Sequence, residues 1–93
     1  MGVSVRIPTP LRKITDGKSE VDAAGGNISQ IIDNMEQSYP GIKQKLCDES
    51  GAMRKFLNIY LNDEDIRFMD GLATEVREGD TLSLIPAIAG GLS

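Results

Sequence analysis

Asn27-Ile28-Ser29-Gln30-Ile31-Ile32-Asp33-Asn34-Met35-Glu36-Gln37-Ser38-Tyr39 carries the clearest periodic signal in the chain. Ile28, Ile31, Ile32 and Met35 stand at i, i+3, i+4 and i+7, on one face of a helix, while Asp33, Asn34, Glu36 and Gln37 fall off that stripe. Asn27 is a good N-cap, and Gln30 three residues later predicts a capping box. Tyr39 extends the stripe by a turn before Pro40-Gly41 stops the helix. Such a stripe is a core face that needs a sheet to lie on, rather than a groove filler for a partner.

Working outward, the flanks supply that sheet. Val3, Val5 and Ile7 alternate with Ser4 and Arg6, the period of a half-buried strand, and Pro8 and Pro10 predict that this strand ends or runs along an edge there. Asp16-Gly17 sits at a hairpin position, with Ser19 to Ala23 returning as a second strand. Beyond the helix, Ile42 to Leu46 makes one further helical turn and Asp48 to Ala52 an exposed loop. Phe56 to Leu61 predicts a central strand with Leu57, Ile59 and Leu61 on one face. Asn62-Asp63-Glu64-Asp65 reads as a polar turn, Ile66-Arg67-Phe68 as a short strand or bend, and Arg77-Glu78-Gly79-Asp80 as a tight turn. Thr81 to Ala87 forms the last strand. Two strands, one main amphipathic helix and further strands imply an α+β fold in which a mixed sheet is crossed by the helix. That is the β-grasp, or ubiquitin-like, arrangement, with the first and last strands side by side. Residues 1–87 form the domain and 88–93 a flexible tail.

The composition excludes most chemistry of the chain's own. Ninety-three residues with no histidine, no tryptophan and one cysteine leave room for a single small core. There is no Ser–His or Cys–His pair, no imidazole ligand and no internal disulfide. Cys47 lies beside Asp48 and Glu49, whose negative charge predicts a raised thiol pKa and an inert residue. Asp63-Glu64-Asp65 offers carboxylates that diverge, so a solvated turn is favoured over a cation site. Residues 56–93 hold two basic and seven acidic side chains, a net −5, against eight and seven in residues 1–55. That sign disfavours nucleic acid and membrane and favours a partner protein with a basic face. The start of the chain lacks a signal-peptide pattern and no apolar run is long enough to span a membrane, so a cytoplasmic location is expected.

The end of the chain is unusual. In the last strand Leu82, Leu84, Pro86 and Ile88 fall on one face and Thr81, Ser83, Ile85 and Ala87 on the other, so a polar face turns apolar at Ile85. Alternation alone leaves two options for Ile85: cover by another part of the chain, or an exposed contact for a partner. Ala89-Gly90-Gly91-Leu92-Ser93 follows. By itself this is a frayed terminus, but on an ordered strand it becomes a thin arm whose residues 87–91 reach about 16 Å when extended. Glycines can thread a narrow channel and accept whatever φ it imposes.

Two stretches carry a resemblance. Asn58-Ile59-Tyr60-Leu61-Asn62-Asp63-Glu64-Asp65-Ile66-Arg67-Phe68 and Gly79-Asp80-Thr81-Leu82-Ser83-Leu84-Ile85-Pro86-Ala87-Ile88-Ala89-Gly90-Gly91 resemble the ubiquitin-like sulfur carriers of the ThiS/MoaD family, and within it the CysO type of cysteine biosynthesis. The similarity spans residues 3–91, including Ile7-Pro8-Thr9 and Leu11-Arg12; the long central block favours the CysO type over shorter thiamin carriers.

The resemblance implies a protein cosubstrate rather than an enzyme. A ubiquitin-activating-like enzyme would adenylate Gly91 with ATP and magnesium, and a sulfur donor would displace AMP to leave a thiocarboxylate. Ile88, Ala89 and Gly90 would thread the partner's active site, while Ile85, Pro86 and Ala87 would dock against it. In the CysO type the sulfur attacks an aminoacrylate on a pyridoxal phosphate-dependent cysteine synthase, and a zinc-dependent JAMM-type metalloprotease releases the cysteine. All of these cofactors belong to the partners. The chain departs from the family pattern at Leu92 and Ser93, which implies a precursor cut after Gly91; an inert extension is the alternative. Carriers for molybdopterin, thiamin, methionine or a secondary metabolite, a protein modifier forming isopeptide bonds through Gly91, and an interaction module with an idle tail stay open beside it.

Overall fold

The structure, a computed structural model, describes residues 2–54 and 57–86. A five-stranded mixed sheet has the order β2-β1-β5-β3-β4. Its members are β1 (Val3–Arg6), β2 (Glu20–Ala23), β3 (Leu57–Leu61), β4 (Glu64–Asp65) and β5 (Thr81–Pro86). Strand β1 pairs antiparallel with β2 and parallel with β5, and β5 pairs antiparallel with β3. The first and last strands are therefore neighbours, as the element order requires. Helix α1 (Ile28–Ser38) is followed by the single turn and a half of α2 (Ile42–Leu46).

The core is the meeting of two periodicities. Val3, Val5, Val21, Leu57, Ile59, Leu61, Leu82 and Leu84 come from one face of the sheet, and Ile28, Ile31, Ile32 and Met35 from α1. Each is buried, and full burial of one such side chain stabilises by about 1.5–3 kcal/mol. Tyr39 is partly buried against the same cluster. The Asn27 side chain accepts from the Gln30 amide at 2.9 Å. The expected reciprocal bond lands one residue further back: Gln30 Oε1 accepts from the Gly26 amide rather than from Asn27.

Three local expectations change. The link from β1 to β2 is no tight hairpin: it contains a 3-10 turn at Thr9–Leu11, and Asp16 and Gly17, with φ of 56° and 82°, turn the chain near its end. The buried Thr15 hydroxyl holds that loop by donating to the Lys18 carbonyl at 2.9 Å. Second, only Asn62 and Asp63 form the polar turn. Both have positive φ, and Glu64–Asp65 already pairs with Tyr60 and Leu61 as β4. Third, Ile66–Phe68 is a 3-10 turn, started by Asp65, whose carboxylate accepts from the Arg67 amide at 2.8 Å. The predicted Arg77–Asp80 turn is present, with Gly79 at φ 92° and Asp80 accepting from the Arg77 amide. Strand β3 is interior, flanked by β5 and β4; Phe56 lies outside the described residues.

Candidate functional site

The last described strand is held differently at its two ends. The parallel ladder to β1 covers Thr81–Ser83, whereas the antiparallel ladder to β3 continues to the pair Leu57 and Pro86. Among the described residues, the end of β5 past Ser83 is thus strand-paired on one side only, and Pro86 has no N–H to donate. The far end is fixed more tightly. Asn62 Oδ1 accepts from the Thr81 amide at 3.0 Å, its Nδ2 donates to Asp80 at 3.1 Å, and the Ser4 amide donates to the Asp80 carbonyl at 2.9 Å.

Ile85 points away from the core, opposite Asn58 in the antiparallel register, and is 44% exposed. Of the two options left by the alternation, the fold selects exposure. Pro86 is half-buried and lines a groove of about 410 Å³ with Pro10, Leu11 and Leu57, joined by Lys45, Asp48 and Arg54. Ala87 lies outside the described residues, as do Ile88, Ala89, Gly90, Gly91, Leu92 and Ser93.

The other singled-out side chains have structural roles. Cys47 is buried in the core, and burial is the main cause that pushes its thiol up. Asp48 and Asp33 add to the rise while Lys43 opposes it, so adjacent acids are a smaller cause than the sequence suggests. Among the described residues no group of three or more His, Cys, Asp or Glu is placed to hold a metal ion, and no helix is long and apolar enough to cross a membrane.

Two exposed apolar residues escaped the sequence reading. Phe68 is 89% and Met69 40% exposed, beside Arg67. Arg67 donates to Asn58 Oδ1 at 2.9 Å and to the Leu57 carbonyl at 2.8 Å, binding the 3-10 turn to the edge of β3. The available signal was an aromatic residue three places after an acidic run, where neither helical nor strand periodicity assigns it a buried face.

Comparison with known proteins adds the family. A profile of the ThiS family matches residues 5–91. The sulfur carrier protein CysO of Mycobacterium tuberculosis is 46% identical, with 98% of this chain and 100% of the relative covered. The crystal structure of the Amycolatopsis orientalis BexX/CysO complex contains a chain that matches with a TM-score of 0.91 and 48% identity, covering 97% of this chain and 100% of that one. The solution structure of small archaeal modifier protein 1 from Methanosarcina acetivorans matches with a TM-score of 0.81 and 25% identity, covering 96% of this chain and 95% of the other.

Proposed function

The chain belongs to the ThiS family, its similar relatives include CysO sulfur carriers, and from that premise we propose that it carries sulfur as a thiocarboxylate on Gly91. A carboxylate is a poor electrophile. Its oxygen must first attack the α-phosphorus of ATP on an adenylating partner, releasing pyrophosphate. Sulfide from a donor then adds to the acyl carbon of Gly91, and AMP leaves with the bonding pair. The chain supplies position rather than catalytic groups. The β3 and β5 ladder holds Ile85 and Pro86, which with Ala87 dock on the partner, and Ile88 to Gly90 pass through its channel.

The likeness to CysO along nearly the whole chain carries this proposal, and the family match running to residue 91 supports Gly91 as the reactive end. The same likeness supports delivery to cysteine biosynthesis, with a pyridoxal phosphate-dependent cysteine synthase as acceptor. That CysO of A. orientalis is found in a complex with BexX supports a carrier that works by docking. ATP and magnesium, pyridoxal phosphate and zinc act on the partner enzymes.

Leu92 and Ser93 follow Gly91 in the sequence, so adenylation at Gly91 requires a cut after it, which we assign to a JAMM-type metalloprotease or similar peptidase. Incubated with adenylating enzyme, ATP and magnesium, a chain ending at Gly91 should form an acyl adenylate and the chain ending at Ser93 none. Equal adenylation of both would refute the precursor proposal.

The similarity to an archaeal modifier protein favours a second use of the same adenylate, an isopeptide bond from Gly91 to a lysine of another protein. High-mass conjugates that resist thiol reagents in a cell lysate would identify it.

A further inference from the structure

Beyond Asp65 the chain turns back along β3. Asp65 pairs with Tyr60, and two residues later Arg67 reaches Asn58, Leu57 and the Arg54 carbonyl. Asn58 is itself opposite Ile85. Ile85, Asn58 and Arg67 therefore form a row across the sheet at the level where β5 ends. Phe68 follows Arg67 directly in the 3-10 turn and is 89% exposed.

This edge is built to hold an exposed aromatic residue in place. Ile66 is fully buried beneath the turn, Asp65 caps it, and the Met69 amide donates to the Ile66 carbonyl at 3.0 Å. Further on, the Asp70 amide donates to the hydroxyl of buried Thr74. A phenyl ring in water on a fixed support loses little conformational entropy on binding, which suits it to anchor an interface.

The surroundings identify the kind of partner. Residues 62–75 contain Asp63, Glu64, Asp65, Asp70 and Glu75 against Arg67, a net charge of 1 − 5 = −4. A second copy of this chain would bring the same charge against it, so self-association through Phe68 is disfavoured. An apolar socket bordered by lysine and arginine is the complement.

We propose that Phe68, with Met69, is a docking anchor for the adenylating enzyme, entering an apolar, basic-rimmed socket beside the channel that takes the tail. This rests on the proposal that Gly91 is adenylated. Kinetics of adenylate formation by the purified adenylating enzyme test it, with the chain ending at Gly91 as substrate. Phe68→Ser should raise KM about tenfold or more and leave kcat within about twofold, as expected for an anchor lost from binding. Phe68→Leu should restore most of the affinity. The double substitution Glu64→Gln with Asp70→Asn should flatten the dependence of KM on salt. Met69→Ser and the melting temperature of each variant separate docking from folding. An unchanged KM for Phe68→Ser, beside an adenylated parent chain, overturns the anchor alone. A parent chain that forms no adenylate overturns both proposals.

Discussion

Ile85 is the point at which the outward face of β5 changes from polar to apolar, and Asn58 across the ladder leaves it 44% exposed. An aspartate there should cost the fold no more than about 1 kcal/mol, since the position is solvent-facing. Ile85→Asp should nevertheless raise KM for adenylation about tenfold, with melting temperature nearly unchanged. Loss of the folded circular dichroism spectrum would instead place Ile85 in the core. The alternation made this residue stand out because six consecutive positions of one strand can be compared with one another. Phe68 had no such frame. Its turn is tied down by its neighbour Arg67 reaching across to Asn58 and Leu57, contacts that no local pattern contains.

Elements with their own periodicity were legible in the sequence, and those defined by a partner were not. Helix α1 repeats its apolar residues over two turns and carries its own cap, so it could be located locally. Strand β4 has two residues and exists through its pairing with Tyr60 and Leu61. The junction between α1 and α2 also depends on contacts beyond the neighbouring residue. Gly41 takes φ 103°, and the Glu36 carboxylate accepts from the amides of Lys43 and Gly41. Those bonds, with the Lys43 amide first, hold the Glu36 carboxyl below its ordinary 4.5. A depressed carboxyl contributes stability above its unfolded value and loses it as pH falls through the folded one. The melting temperature should therefore fall more steeply below pH 4.5 in the parent chain than in Glu36→Gln, while at pH 7 the variant melts lower. Parallel curves for the two proteins would contradict the capping role.

At the scale of the molecule, the absence of histidine and the single buried cysteine fit a carrier whose reactive atom belongs to the main chain. Side-chain chemistry gives no sign of such a group, so the role proposed for Gly91 rests on the family resemblance rather than on any side chain. The fold positions β5 between β1 and β3 and leaves both Ile85 and Phe68 exposed. The net charge of −5 over residues 56–93 adds a long-range attraction for a basic partner. Intact-mass analysis of the protein from its native cells bears most directly on the central claim. A fraction ending at Gly91, with one carboxylate oxygen replaced by sulfur, is the predicted result; a population that ends uniformly at Ser93 with an unmodified carboxylate would contradict it.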